Sequence, residues 1–240
     1  MWSASGLGPI DAAAFAGFAL AWGAYHALLE RGGGDPGLNR RMDGERRRWM
    51  AQMVLREQRI VDTQITGALQ NGSAFFASSS LIAIGAAAAI LRAPGSLASI
   101  YAGFGFDGAL GGGGEVAVQA KALGLVAIFG YAFFKFSWSY RLFNFAAILV
   151  GATPMVGPLA PRREAAARAA AMNVAAGRHF SRGQRALFFA LAYLGWFAGP
   201  LVLVGMTLAV LRIMWARQFS SDAARALTAP MPLPEIDVLP

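Results

Sequence analysis

Four stretches of this chain are apolar over about 20 residues or more, the length at which an α-helix crosses the hydrocarbon core of a bilayer. They cover residues 10–29, 72–91, 122–150 and 186–211. The pattern predicts an all-α integral membrane protein, in which residues 1–228 form a single domain with four transmembrane helices. Residues 229–240 are rich in proline and are expected to form an extramembrane tail without regular structure.

The segment from residue 43 to residue 70 is amphipathic, which predicts a cytoplasmic helix that continues into the second transmembrane span. Glu57, Gln64 and Asn71 are spaced by seven and fall in the middle of its apolar arc. One interpretation is a helix lying on lipid or on its neighbours, with these groups meeting headgroups or backbone. The other is a buried polar seam, in which an ionised Glu57 needs a cationic partner.

The third apolar stretch carries fixed positive charge in its inner part, on Lys135 and Arg141. A lysine or arginine at the bilayer centre costs roughly 2.5 to 3.5 kcal/mol, so such residues usually face protein or water. Asn144 shares a helical face with Arg141, whereas Lys135 points almost oppositely. Either both cations snorkel to headgroups, or at least one meets another helix, a lipid or a neighbouring subunit. Pairing of Glu57 with either cation stays open.

The fourth apolar stretch follows a capping signal, in which Ser181 precedes Gln184 by three residues. A helix is therefore expected to start there and to enter the membrane near residue 186. Gly195 and Gly199 have the spacing of small residues at close helix contacts, and Pro200 follows them. These residues predict a tightly packed and locally kinked fourth span.

Composition agrees with a membrane location, because 56% of the 240 residues are hydrophobic, only 14% are charged and the mean hydropathy is +0.47. The net charge of +8 comes largely from arginines in the segments between the first and second spans and between the third and fourth. Such arginines are orientation signals that predict both segments to be cytoplasmic, with the N-terminus, the middle loop and the C-terminus outside. The richness in alanine, glycine and arginine is typical of a bacterial protein, here of the inner membrane. No nucleic-acid partner is expected.

Ordinary catalytic motifs are missing from the sequence. The absence of cysteine excludes thiolate chemistry, and no carboxylate cluster, phosphate loop or nucleophile elbow is present. Residues 103–108 satisfy a dinucleotide fingerprint, but they lack the strand and crossover helix that this site requires. His26 and His179 are predicted at similar depth, which leaves bis-histidine haem ligation as an alternative. We therefore expect no enzyme, no cofactor and no metal site.

Three stretches carry a family resemblance. They are residues 47–76, with Arg56-Glu57-Gln58-Arg59-Ile60-Val61-Asp62 and Gln70-Asn71-Gly72-Ser73-Ala74-Phe75-Phe76-Ala77-Ser78; the run Lys135-Phe136-Ser137-Trp138-Ser139-Tyr140-Arg141-Leu142-Phe143-Asn144; and His179-Phe180 with Gly183, Arg185, Ala186, Phe189 and Ala190. They resemble the domain of unknown function 599 family, over most of the chain except the glycine-rich outer loop and the proline tail. The resemblance implies a bacterial-type integral membrane protein without an assigned activity, and it transfers no active residue.

Three functional hypotheses follow from the cost of leaving polar groups unpaired in hydrocarbon. The first is an oligomeric channel or transport protein for a small ion or anion, with an intramembrane or interfacial network of Glu57, Gln64, Asn71, Lys135, Arg141 and Asn144. The second is a structural or accessory subunit of a larger membrane complex, whose basic segments bind anionic lipid at the cytoplasmic face or an acidic partner. The third is a haem- or quinone-associated membrane protein.

Overall fold

The computed structural model describes residues 7–31, 37–96 and 114–228, and no strand occurs within these ranges. The glycine-rich loop with residues 103–108 and the proline-rich tail 229–240 lie outside the described residues. The helices, in chain order, are α1 Pro9–Arg31, α2 Leu38–Met53, α3 Ile60–Arg92, α4 Glu115–Ala152, α5 Leu159–Ala198, α6 Pro200–Phe219 and α7 Asp222–Ala226.

Four helical segments are long and apolar enough to span a membrane: Pro9–Glu30, Ile60–Arg92, Glu115–Ala152 and Pro200–Ala226. The prediction of an all-α membrane protein with four such helices is confirmed. The first three segments contain the predicted spans 10–29, 72–91 and 122–150. The fourth differs from the predicted span 186–211, because the structure divides that stretch between α5 and α6.

The break between α5 and α6 lies at Gly199, whose φ of 141° is in the region that favours glycine. Pro200 then begins α6, a first-turn position where its missing N–H costs no hydrogen bond. The chain reverses here, so that Gly195 faces Met206 and the guanidinium of Arg217 lies 4.8 Å from the ring centre of Phe188. The prediction of a single kinked span over 186–211 is therefore wrong, because the chain reverses its direction at Gly199.

The reversal makes α5 and α6 an antiparallel hairpin that runs beside α1. Along α5, Trp196 bonds to Asp11 near the start of α1, and Arg182 bonds to Glu30 near its end. The C-terminal half of α5 therefore covers the same depth as the first candidate span, although Arg182 and Arg185 lower its hydropathy. Consequently α6 ends at the same end of the bundle as α1, here called the arginine-rich end. Among the described residues, α1 begins and α6 ends at opposite ends of the bundle, which does not fit the expectation that the N- and C-terminal segments lie on one side.

Helices α4 and α5 form the centre of the bundle and pack antiparallel along most of their length. Gly183 of α5 lets the ring of Phe136 approach closely, since a Cβ at this glycine would lie 2.8 Å from the ring. Helix α3 packs on the other side of α4, where the hydroxyl oxygens of Ser73 and Ser139 are 3.3 Å apart. Ser139 also donates to the carbonyl of Ala176, so this hydroxyl joins three helices.

Helix α2 is separate from α3, so the expected continuous helix over residues 43–70 is wrong. It ends at Met53, and residues 54–59 turn the chain before α3 begins at Ile60. Met50, Met53 and Val54 are buried against Val150 of α4 and the alanine-rich start of α5. Only the α2 part of the apolar arc is buried within the chain, since Ile60, Val61 and Ile65 of α3 are exposed, and the turn breaks the seven-residue register of Glu57, Gln64 and Asn71.

Candidate functional site

The structure places the six predicted site residues apart from one another. Glu57 lies in the turn between α2 and α3, Gln64 and Asn71 lie on the outer face of α3, and Arg141 lies on α4. All four side chains are exposed on the single chain. A single intramembrane network is thus not formed within one chain, and such a network stays a prediction about contacts between chains.

The two remaining predicted residues each have a local partner. Asn144 accepts a hydrogen bond of 2.8 Å from Gln70 Nε2, which links α4 to α3. The Nζ of Lys135 lies 4.9 Å from the ring centre of Tyr131, one turn earlier on α4. This geometry is a cation–π contact, which stabilises a partly desolvated ammonium group without a carboxylate.

A cavity of about 530 Å³ opens at the arginine-rich end, where α1, α2, α5 and α6 meet, and we call it the arginine cavity. Four arginines line it against two carboxylates, so the net charge of its wall is positive. The lining residues are Leu28, Leu29, Glu30, Gly37, Asn39, Arg40, Asp43, Gly177, Arg178, Ser181, Arg182, Arg185, Trp215, Gln218 and Phe219.

Ion pairs hold the arginines of this cavity in place. Arg182 donates two hydrogen bonds to Glu30, from Nε at 2.7 Å and from Nη2 at 2.9 Å. Arg178 donates to Asp43 of α2 at 2.9 Å. Arg46 lies behind the cavity wall, where its guanidinium packs against Gly177; burial lowers the pKa of Arg46, and the carboxylate of Asp43 at 3.7 Å opposes that shift. The two carboxylates therefore tie α1 and α2 to α5.

Arg185 is the most enclosed cation of the cavity, with only 9% of its surface exposed. Its Nη2 lies 3.5 Å from Nδ1 of His26 and 3.5 Å from Glu30. The Nε of Arg185 has no hydrogen-bond partner among the described residues. Glu30 is shared with Arg182, so the charge of this buried guanidinium is only partly balanced. An arginine in this state favours an added anion.

The two histidines are engaged differently. The Nε2 of His26 lies 3.3 Å from Glu30, and its Nδ1 faces Arg185. Both ring nitrogens of His26 thus have protein neighbours, which a haem iron would have to displace. His179 packs edge-on against Trp138, with ring centres 6.4 Å apart.

A buried ion pair at the opposite end of the bundle was not predicted from the sequence. Lys121 of α4 is 2% exposed, and its Nζ lies 3.9 Å from Asp11 of α1. Trp196 joins them, because its indole N–H donates to Asp11 at 2.8 Å and its carbonyl accepts from Lys121. Two signals in the sequence could have indicated this pair: Asp11 lies inside the first apolar stretch, and Lys121 lies beside the third. Isolated charges next to apolar runs usually have partners.

Several arginines interpreted as orientation signals also have structural contacts. Arg59 donates to the carbonyls of Val150, Thr153 and Pro154, and so caps the C-terminal end of α4. Arg56 pairs with the fully buried Asp62. The positive-inside pattern alone could not distinguish these arginines from those of the cavity.

The helical bundle with its apolar spans and its buried ion pairs defines the class as a polytopic α-helical membrane protein. Residues 13–223 match the family described as "Protein of unknown function, DUF599". The chain belongs to this family. No curated protein and no solved structure matches the chain.

Proposed function

We propose that this protein is a non-enzymatic membrane protein of transport type, which takes up a small anion in the arginine cavity. The proposal rests on Arg185, a buried arginine whose Nε has no hydrogen-bond partner among the described residues. A carboxylate or phosphate oxygen there would complete its hydrogen bonding in a partly desolvated site, where charge-assisted bonds are strong. Ser181 adds a hydroxyl to the same wall.

Ionic contacts around the cavity support a switchable site. The carboxylate of Glu30 is shared by Arg182 at 2.7 Å and Arg185 at 3.5 Å. An entering anion competes with this carboxylate for the same guanidinium groups. Binding would thus weaken the contact between α1 and α5, which is a direct way to couple anion binding to helix movement.

Translocation requires more than one chain or a rearrangement of this one. Between the arginine cavity and the Asp11–Lys121 pair, the space between α1 and α5 is filled by Phe18, Phe189 and Tyr193. We propose a homo-oligomer, in which polar groups of α3, of α4 and of the turn before α3 meet across chains. The residues available for this network are Glu57, Gln64, Asn71, Lys135, Arg141 and Asn144.

We further propose the bacterial inner membrane, with the arginine-rich end in the cytoplasm. The return of α6 to this end supports the orientation, because Arg212, Arg217 and Arg225 then join the arginines of α2 and α5 on one side. This arrangement satisfies the positive-inside rule better than a fourth span that ends outside. Anionic lipid at the cytoplasmic surface would be the natural partner of these arginines.

Purified protein in liposomes provides the test. Flux of chloride, nitrate, inorganic phosphate and acetate is measured across membranes with and without the protein, together with inorganic phosphate binding in nanodiscs. We expect Arg185→Gln to abolish both, and Ser181→Phe, which fills the cavity, to do the same. Arg168→Gln is the matched control, since Arg168 lies on α5 in an exposed pair with Glu164. Saturable binding that is equal in wild type and in folded Arg185→Gln and Ser181→Phe proteins would refute the cavity as the site.

An accessory subunit is the second candidate, and a specific surface supports it. Leu55, Ile60, Met155 and Val156 are exposed around the turns before α3 and after α4, with Val156 at 83%. Apolar residues in polar turns are typical of a surface that contacts another protein. Constant recovery of a second membrane protein with the wild type, lost on Val156→Asp, would favour this role over transport.

A further inference from the structure

An apolar groove of about 510 Å³ lies between α1 and α4, separate from the arginine cavity. Helix α5 contributes Tyr193 to it. Its wall includes Phe15, Phe18, Trp22, Gly23 and His26 of α1 and Gly124 and Tyr131 of α4. Both flanking helices are candidate membrane spans, so the groove borders the hydrocarbon region.

Aromatic rings fix the shape of this groove. Trp22 stacks on Phe189 of α5 with ring centres 5.3 Å apart and meets Tyr131 of α4 edge-on at 5.9 Å. Phe18 meets Tyr193 in the same way at 5.5 Å. These contacts anchor the large side chains to the bundle, so the groove is a formed feature of the fold.

The groove follows α1 over about half the thickness of a bilayer core, and it reaches to within four residues of Glu30, where the first candidate span ends. Phe15 and His26 are 11 positions apart on α1. At a rise of about 1.5 Å per residue, they lie about 16 Å apart along the helix. The hydrocarbon core of one leaflet is about 15 Å thick, half of the core of about 30 Å.

The two ends of the groove differ in their nearby cations, because Lys121 beyond the far end is paired with Asp11, whereas Lys135 lies near the arginine-rich end over a ring. Lys135 is held over Tyr131, a lining residue of the groove, and follows it by four residues toward the arginine-rich end. His26 itself contacts Arg185. The opposite end of the groove is lined by Phe15 and Gly124 instead. This polarity is that of an amphiphile with an apolar chain and an anionic headgroup.

We propose that the groove binds one phospholipid with an anionic headgroup, whose acyl chain lies against Phe18 and Trp22 and whose phosphate meets Lys135. This inference goes beyond the proposed function, because the groove and its lipid are distinct from the arginine cavity and its anion, and the two proposals share Lys135 alone, through the network between chains. Lys135 favours an anionic lipid over a neutral one. Its ammonium group lies over the ring of Tyr131 and can still donate hydrogen bonds to a phosphate. A neutral amphiphile would leave that ammonium without a counter-charge.

Gly23 allows the groove to be filled without disturbing the bundle. A Cβ at Gly23 would meet nothing within 4 Å, and the residue lines the groove. Gly23→Leu therefore occupies the space of the acyl chain. Gly17→Leu is the matched control, because Gly17 also lies exposed on α1 with open space at its Cβ, but it does not line the groove.

Native mass spectrometry of the full chain tests the proposal, with phosphatidylglycerol and phosphatidylcholine of identical acyl chains as probes. We expect phosphatidylglycerol to be retained in preference by the wild type and by Gly17→Leu, and its affinity to fall about tenfold or more in Gly23→Leu. Lys135→Gln should keep lipid binding but lose the preference for phosphatidylglycerol. Equal retention by the two glycine variants, no preference in the wild type, or a bound neutral quinone would overturn the proposal.

A second measurement does not depend on the folding of Gly23→Leu. In nanodiscs, the quenching of Trp22 is obtained by subtracting the fluorescence quenching of Trp22→Phe from that of the wild type. We expect brominated phosphatidylglycerol to quench Trp22 more strongly than brominated phosphatidylcholine at equal mole fraction. Equal quenching would contradict the headgroup assignment. Because Arg185 is unchanged throughout, failure of the anion-transport proposal would leave these results unaffected.

Discussion

The ammonium group of Lys121 donates a hydrogen bond of 3.0 Å to the main-chain carbonyl oxygen of Trp196. That carbonyl lies in the last turn of α5, where it also accepts from the N–H of Gly199 at 3.1 Å. A cation at this position balances the negative end of the helix dipole and satisfies a terminal carbonyl. Lys121 therefore holds α4 to the point at which the chain reverses into α6.

Loss of this lysine should destabilise the protein strongly. Lys121→Met leaves the carboxylate of Asp11 buried without its cation, and breaking a buried pair in this way costs about 3 kcal/mol or more. Thermal unfolding in detergent measures the effect. Asp11→Asn combined with Lys121→Met should recover much of the loss, because no unpaired charge remains. A double variant less stable than Lys121→Met would contradict this account.

The contact of Arg59 with the end of α4 gives a second prediction. Arg59→Gln removes charge-assisted hydrogen bonds to the carbonyls of Val150, Thr153 and Pro154. We expect a loss of about 2 kcal/mol in the free energy of unfolding, measured by thermal melts. Arg48→Gln is the control. Its exposed pair with Glu45 should contribute less than about 0.5 kcal/mol, so similar losses would argue against a capping role for Arg59.

The sequence predicted the helical class and three spans because hydropathy and length alone determine them. It failed at the fourth stretch, since Gly199 and Pro200 fit a kink and a reversal equally well. Only the contacts across the hairpin, such as Gly195 with Met206, distinguish the two. Likewise, the amphipathic pattern of residues 43–70 was interpreted as one continuous helix, whereas the chain turns after Met53.

The candidate site was harder to predict than the fold. Lys135 and Arg141 attracted attention because they interrupt an apolar run, yet the described structure gives them aromatic partners on their own helix. Arg182 and Arg185 were interpreted as orientation signals. Their common partner Glu30 lies some 150 residues earlier, so no local sequence pattern indicates the ion pairs. Long-range ion pairs between helices depend on the bundle topology, which the sequence did not specify.

The hairpin of α5 and α6 can be tested by labelling, because the chain contains no cysteine. Single cysteines are introduced by Ser220→Cys after α6, Arg168→Cys at the start of α5 and Glu115→Cys at the start of α4. All three positions are exposed. We expect a membrane-impermeant maleimide to label Ser220→Cys and Arg168→Cys from one side of oriented vesicles and Glu115→Cys from the other. Labelling of Ser220→Cys from the side of Glu115→Cys would restore the single-span topology.

His179 should make stability depend on pH in a defined direction. It lies one turn beyond Arg182, which bonds to Glu30 at the end of the first candidate span. Its pKa is lowered by burial first and then by the charges of Arg182 and Lys135, against a smaller opposing effect of Glu30. The unfolded chain therefore binds a proton at His179 more readily than the folded protein does. The stability contributed by the neutral ring is present above the ordinary histidine pKa and is lost as the pH falls from about 6.5 toward the lower folded value.

Melting curves between pH 8 and pH 5 measure this dependence, with His179→Gln as the comparison. Carboxylates titrate in both proteins, so the difference between the two curves isolates the histidine. We expect the wild type to lose more stability than His179→Gln on acidification, because only the wild type must protonate a ring beside two cations. An NMR titration in a His26→Gln background reports the ring directly. A His179 pKa above the ordinary value, or parallel melting curves, would mean that a carboxylate rather than the two cations governs the charge of this histidine.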